Sequence, residues 1–510
     1  MPSESFPVVI VGAGPTGTTT ATLLAQYGIN SLLLDRWQAV YPQPRAVHLD
    51  NEIYRVLGQV GVADDFSGFH GQPKACGCSI RACAPLAEFA RDTASGIHGL
   101  PQANMFDQPE LEALLRANLA TYPNATLRGG ADVTAVVPVG GDRVQVRYTD
   151  RATNEQHTVE ASYVLGCDGA NSVVRSAIGA RMRSMRFAQR WLVVDVATDA
   201  DLHLWDGVQH VCDPRRAATF MRIARNRYRW EFQLHPAETV AHYHSLEQLR
   251  PLLSAWLGDI PATQLELIRV AEYTFRAQIA DRWRRGRMLI LGDAAHLTPP
   301  FIGQGMGAGI RDAANLSWKL AAVLHGDLPA HALDTYQQER KGHAWKMIGL
   351  ALVVGWTMTG GGKAGNILRR WLIPRLERIS LLRRHIQEGK TPPLRHSTFV
   401  VKSTFKTLPN LLRMRRLPGT LMPNLALPSG DRIDTVLGNK FGLITDLPLS
   451  LGQQSRLKTR DVVGVVVSAG SEFARWLHRG GTRAALIRPD RTVMQIGHPA
   501  QLCSLAPCLD

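Results

Sequence analysis

Val8 to Asp35 reads VVIVGAGPTGTTTATLLAQYGINSLLLD, and the order of its parts decides the fold. Four apolar residues, Val8 to Val11, run into a glycine turn, as a strand buried in a parallel sheet does. Gly12, Gly14 and Gly17 make G-x-G-x-x-G, with Pro15 inside the turn, and a helical stretch follows from Thr18 to Tyr27. A second apolar run, Ser31 to Leu34, ends on Asp35. Strand, glycine turn, helix, strand and acid in this order predict a dinucleotide-binding βαβ unit. Gly12 permits the tight turn, Gly14 lets the backbone approach a pyrophosphate, and Gly17 lets helix and strand pack closely. The helix N-terminus offers free N–H groups to the phosphates. Asp35 is placed to accept hydrogen bonds from ribose hydroxyls. Without that context the same glycines would be only a turn.

The 510 residues allow two to four domains, and 45% hydrophobic with 20% charged residues fits an ordinary globular protein. Net charge is +15, so nucleic acid has to be considered. The charge is concentrated, however: Asn366 to Arg416 holds 13 Lys and Arg against 2 acidic residues. No aromatic-interleaved basic motif or zinc-finger spacing accompanies it, which favours a solvated connector over a nucleic-acid site. The seven cysteines are scattered. Cys76, Cys78 and Cys83 lack metal-site spacing, and Cys503 with Cys508 reads as terminal thiols, so no metal is expected. An odd thiol count and a nucleotide-binding strand close to the N-terminus lead us to expect a cytoplasmic protein. The longest apolar run, Met347 to Trp356, is about half of a membrane span.

Further along, Asp107-Gln108-Pro109-Glu110 opens a helix to about Ala120. Strands follow near 125–138, 143–148 and 157–165. From about 190 to 280 alternating strands such as WLVVDVATD, ATFMRIAR and YRWEFQL predict an inserted antiparallel sheet, with a helix between Ser245 and Leu257. A strand at 287–291 runs into GDAAHLTPPFIGQGMGAG, followed by helices at 307–324 and 333–354. A last α/β unit fills about 420–510.

Three motifs now stand in order: GAGPTG with Asp35, CDGANSVVR at 167–175, and GDAAHLTPP at 292–300 with GQGMGAG after it. Together they resemble the FAD-dependent aromatic hydroxylases of the p-hydroxybenzoate hydroxylase type, over roughly residues 7–355. YPQPRAVHLDNE, RWLVVDV, CDPRR, RWEFQL and LIRPDR make the chain most similar to 3-(3-hydroxyphenyl)propionate hydroxylases and related polyketide and antibiotic hydroxylases. The resemblance implies an α/β Rossmann-like FAD-binding domain in two parts, 1–189 and 281–360. A substrate-binding sheet domain spans 190–280, a helical basic connector 361–419, and a thioredoxin-like domain 420–510. It also implies FAD as cofactor, NADH or NADPH as co-substrate, and oxygen transfer through a flavin C4a-hydroperoxide to a phenolic ring.

By that resemblance the FAD contacts are Gly12, Gly14, Pro15, Gly17, Asp35, Arg36, Arg45, Gln108, Asp168, Arg175, Gly292, Asp293, Pro300, Gly303, Gly305, Met306 and Gly307. Asp293 would accept from the ribityl chain. Pro299-Pro300 would pass along the ring, and the helix opening at Gly303 to Gly307 would direct N–H groups at the flavin's N1–C2 carbonyl. Asp168 and Arg175 belong to a motif tied to both FAD and nicotinamide nucleotide. His296 reads as structural. Catalytic or substrate candidates are His48, His210, Arg222, Gln233 and Pro300, with Cys212, Arg225 and Arg229 on the same strands. An arginine among them could bind a substrate carboxylate. The expected substrate is a phenolic acid such as 3-(3-hydroxyphenyl)propanoate or 3-hydroxycinnamate, with O2. A polyketide or antibiotic substrate is the near alternative, and a non-catalytic flavin-binding redox regulator the distant one. No nucleic-acid or membrane partner is expected, and the sequence leaves the oligomeric state open, a homodimer included. The C-terminal unit lacks C-x-x-C, which suits packing or oligomerisation rather than redox chemistry.

Overall fold

The computed structural model describes residues 4–43, 45–67, 75–79, 85–90, 98–140, 142–202, 207–224, 226–360, 367, 391–401, 417–505 and 507. Glu4–Val11 lies at the centre of the first sheet. Ser31–Leu34 and then Ala125–Arg128 extend it in parallel on one side. Gln156–Gly166 and then Met288–Ile290 extend it in parallel on the other. The antiparallel pair Ala131–Val139 and Arg143–Asp150 joins through Gln156–Gly166. Val8, Val9 and Ile10 are fully buried, as an all-apolar central strand must be.

The helix Pro15–Gln26 packs over this sheet and is buried from Gly17 to Ala25. Two of its threonines satisfy their hydroxyls within the helix: Thr20 donates to the Thr16 carbonyl at 2.7 Å and Thr22 to that of Thr18 at 3.0 Å. The helix Gly305–His325 lies against it, and Asp334–Thr359 follows. Both begin or end beyond the 307–324 and 333–354 expected from periodicity, because glycines and alternating polar residues hide helix ends.

The second sheet is built on two long partners, Met182–Ala197 and Glu266–Ala280. Arg227–Gln233, Ala218–Ala224 and Gly207–Val211 continue it antiparallel. Two strands from before residue 100, Ala75–Ser79 and Pro85–Ala90, complete its edge. The sheet is therefore not confined to 190–280. Both segments are short, and Ala75–Ser79 is Gly- and Cys-rich, so their alternation is weak in sequence. The helix Leu246–Leu257, capped by Ser245, covers one face, where Phe220, Trp230, Phe232, Leu249, Leu253 and Trp256 form a core. The other face turns to the first sheet's domain, with Trp191, Cys212 and Ala217 on Phe301 and Met358, and Met221 and Ile223 on Val47 and Met105.

The last unit has strand order Val462–Val466, Phe441–Thr445, Ala484–Ile487, Val493–Gly497, the first pair parallel and the rest antiparallel, as in a thioredoxin-like fold. Buried charges join it to the helices. Glu339 accepts from Lys319 at 2.8 Å and from Arg488 at 2.9 Å, all three fully buried. Arg55 forms a two-point pair with Asp434 at 2.5 and 2.6 Å. Most of the basic 361–419 connector, with Cys83, Arg225 and Cys508, lies outside the described residues. No helix among the described residues is long and apolar enough to cross a membrane.

Candidate active site

Three neighbouring parallel strands end level with one another, Val11 beside Gly166 and Gly166 beside Ile290. The loops that follow, at Gly12, Cys167-Asp168 and Gly292-Asp293, therefore emerge side by side, at the carboxyl edge where open α/β sheets bind ligands. Gly12 has φ +98°, and a Cβ there would strike the Cys167 carbonyl, so only glycine lets the loops approach this closely. A Cβ on Gly17 would run into the Gly12 carbonyl. A Cβ on Gly14 would meet nothing within 4 Å. Gly12 and Gly17 thus hold the turn, and Gly14 leaves an open cradle over the helix N-terminus that suits a pyrophosphate.

Asp35 braces this turn. Its carboxylate accepts the Ala13 N–H at 2.6 Å and the Trp37 N–H at 2.7 Å, leaving a lone pair on each oxygen for a ribose hydroxyl. Arg36 instead pairs with Asp132 at 3.1 Å on the exposed surface, so its guanidinium is engaged away from the turn. Gln108 also acts indirectly. Its carbonyl accepts the N–H groups of Arg45 at 3.0 Å and Ala46 at 2.6 Å, and its amide donates to Glu112. It shapes the segment from which the exposed Arg45 extends over Tyr41.

Asp168 caps the turn Val173–Ala177, accepting from Ser172 Oγ at 2.5 Å and from the N–H of Val173 at 2.7 Å. Burial pushes its carboxyl up against the pull of those donors. Arg175 donates to the carbonyls of Ala294 and Ala170, tying the second loop to the third. Burial lowers its pKa. Asp293 makes no hydrogen bond or ion pair among the described residues. The protein around it pushes its carboxyl up, against the pull of His296 and Arg45, yet its side chain keeps an exposed surface. It is the unengaged acceptor that a ribityl hydroxyl requires. His296 is fully buried with Nε2 2.7 Å from Asp312, which also accepts the Gly292 N–H at 3.1 Å. That histidine holds the loop, as its place in the motif suggested.

Pro300 begins a single turn ending at Gly303, whose φ of +63° favours glycine. A Cβ on Gly303 would lie 2.7 Å from His48 Nδ1, so the His48 ring packs directly on this loop. Gly305 and Met306 open the helix Gly305–His325, and Gly307 lies against Ile53. One cluster that spacing alone did not single out positions this loop. Arg311 pairs with Asp50 at 2.5 Å and Glu52 at 2.9 Å, while Gln304 bridges Asp50 and Arg311. Burial would raise the Asp50 carboxyl, but Arg311 and the donors around it hold it below the usual range. The signal lay in DNE at 50–52 and the Arg four residues after Gly307, which only the fold brings together.

The sheet face above this loop carries Val193, Glu231, Thr219 and His210 in one row across the strands. Gln233 lies one row to one side, and Arg229 with Asp195 one row to the other. Strand alternation corrects one expectation. Arg222 shares the Phe220 face, is exposed, and stacks over Tyr228, so it points away from the loops. Arg229 faces the right way, but it is bound two-point to Asp195 at 2.6 and 2.8 Å and donates to the Arg45 carbonyl. It closes the sheet onto the nucleotide domain and is not a free cation. Cys212 is buried beside Phe301.

A family model described as FAD binding domain matches residues 5–351. The chain is an FAD-dependent aromatic hydroxylase by family. It is 30% identical over 513 residues to the 3-(3-hydroxy-phenyl)propionate/3-hydroxycinnamic acid hydroxylase of Burkholderia cenocepacia (strain HI2424), covering 95% of this chain and 93% of that one. It is 36% identical over 356 residues to a probable NADH-specific resorcinol 4-hydroxylase of Rhodococcus jostii (strain RHA1), covering 70% and 66%. Among solved structures, aklavinone-11 hydroxylase in a ternary complex with FAD and aklavinone superposes with TM-score 0.81 at 23% identity, covering 100% of both chains. The flavin-dependent monooxygenase PieE with FAD and substrate gives 0.81 at 22%, covering 99% of both. This hydroxylase thus shares the whole architecture of those chains, including the C-terminal unit.

Proposed function

We propose that this hydroxylase adds a hydroxyl group to a phenolic aromatic acid of the 3-(3-hydroxyphenyl)propanoate or 3-hydroxycinnamate type, consuming NADH or NADPH and O2. The observation that carries the reading is the near full-length likeness to hydroxylases of that name, together with an aromatic-lined sheet face set against the flavin loop. FAD, when bound, supplies hydride acceptance from the nicotinamide and delivery of one oxygen atom to the ring.

This chain's own residues supply the rest. The cradle at Gly14 and the acceptors Asp35 and Asp293 hold the cofactor. The N–H groups at Gly305 to Gly307 favour negative charge at the end of the helix. Trp191, Phe275 and Phe301 pack as mutual neighbours with ring centroids 5.7 to 6.3 Å apart, which excludes water, and Phe275 alone of the three keeps part of its surface exposed. Two rows further along the same sheet face, beyond Glu231, Arg229 and Arg269 flank the carboxylate of Asp195, the side an anionic substituent would favour. His48 packs on Gly303 and His210 lies in the Glu231 row, so both border this space.

The test is substrate-stimulated NAD(P)H oxidation by the purified holoenzyme. One equivalent of hydroxylated product per NAD(P)H is expected with 3-(3-hydroxyphenyl)propanoate. No stimulation by hydroxyphenylpropanoates or hydroxycinnamates would refute the substrate class.

A further inference from the structure

We propose that Glu231 accepts the hydrogen bond of the substrate's ring hydroxyl and so selects phenols over rings that lack one. This rests on the reading of the flavin-facing sheet surface as the substrate site. Glu231 sits at the middle of that surface, in register with Val193 on one side and Thr219 on the other, and Thr219 is in turn beside His210. Its chain neighbours Trp230 and Phe232 point the other way, into the core under Leu246–Leu257. Strand alternation therefore sends Glu231 toward the nucleotide domain.

The rows on either side of Glu231 are roofed. Two residues along, Met221 lies under Val47 and Met105, and Arg229 under the Arg45 carbonyl. Two residues the other way, the Trp191 row lies under Phe301 and Met358. His48 follows the first roof and Gly303 follows the second, and the ring of His48 lies on Gly303. Glu231 thus faces the junction between the flavin loop and His48.

Its carboxyl has nothing there to bind. Glu231 is only 9% exposed and forms no hydrogen bond or ion pair among the described residues. The cation two residues before it is engaged by Asp195. Burial pushes its carboxyl up, with Arg229 and His210 pulling the other way and Asp195 adding to the rise. A carboxyl kept at a buried sheet position without a hydrogen-bond donor is costly. A phenolic O–H is a donor of the right kind, and its bond to a carboxylate is of the strong, charge-assisted class. A ring without the hydroxyl would leave the carboxyl unpaired, which is how sites built for a hydroxyl reject its analogues. The cation row of Arg229 and Arg269 is two residues along the strands, about 7 Å away.

The experiment titrates the holoenzyme with two pairs of ligands and reads the shift of the visible flavin spectrum. The pairs are 3-(3-hydroxyphenyl)propanoate with its methyl ether, and phenol with anisole. Wild type is expected to prefer each hydroxyl compound by about ten- to a hundredfold. Glu231→Leu should abolish the preference, and Glu231→Gln should leave a reduced one. Should Glu231→Leu fail to retain FAD, the Glu231→Gln titration decides alone. A variant keeping the full wild-type preference overturns the proposal, as does a wild type that shows none. Preference for phenol with no binding of either phenylpropanoate would refute the acid substrate and support Glu231. Binding of no ligand in either pair refutes both.

Discussion

The three glycines of the first turn should fail in different ways when replaced. Gly14 has φ −72° and ψ −178°, which any residue adopts, and a Cβ there has no neighbour within 4 Å. Gly14→Val therefore adds no clash within the protein. Valine is a poorer helix N-cap than glycine, at about 0.5–1 kcal/mol. Restricting the unfolded chain offsets this by about 0.4–1 kcal/mol. The apoprotein should thus stay within about 1 kcal/mol of wild type while losing FAD, because the added methyl groups fill the pyrophosphate cradle. Gly17→Ala is the contrast. Its Cβ would fall well inside the 3.0 Å below which real Cβ contacts are essentially never found, against the backbone of Gly12, and 3.3 Å from the Cys167 side chain. Neither backbone can yield without reshaping the turn, so a loss of at least about 1–3 kcal/mol is expected. The assay pairs flavin content of the purified protein with urea unfolding of the apo form. A yellow, equimolar Gly14→Val protein would refute the placement of the pyrophosphate. So would an apo Gly14→Val as unstable as Gly17→Ala.

Arg311→Leu should cost about 3–5 kcal/mol, because it leaves the Asp50 and Glu52 carboxylates buried without their cation, and it should weaken FAD binding through Gln304. Unfolding and FAD titration check it; wild-type values for both would sink the idea that this cluster sets the flavin loop. Glu339, although burial alone would raise it, is held at about 2 by Arg488 and Lys319, against an ordinary 4.5. Its folded pKa is depressed, so its contribution is present above about pH 4.5 and disappears as pH falls toward about 2. Glu339→Gln should flatten the fall of stability across that window, and equal slopes for wild type and variant in a pH series of unfolding curves would count against it.

Local patterns carried far in this chain because the cofactor end of the site is made of them. A glycine turn after an apolar run, Asp35 at the end of the next strand, and GD after a third strand can each be read without knowing what lies beside them. Their spacing reflects strand and turn lengths, and those are local properties. Helix ends were harder: one helix begins at Gly305, before the expected 307, and the next runs on to Thr359, past the expected 354, because the end turns of a helix are stabilised by what they pack on. Asp50, Gln304 and Arg311 are more than 250 residues apart at their widest, and nothing local links them.

By itself, then, the sequence determined the cofactor-binding motifs, the two sheets and the C-terminal α/β unit, because backbone geometry and burial impose periodicities of two and near four on the residues that form them. Only the tertiary structure decided which side chains work together. It placed Ala75–Ser79 and Pro85–Ala90 in the second sheet, since strand pairing joins segments regardless of their distance along the chain. It turned Arg222 outward, matched Arg229 to Asp195, and left Glu231 on the face toward the nucleotide domain without a hydrogen bond among the described residues. A charged residue's meaning is set by the charge across from it, and that neighbour is chosen by the fold.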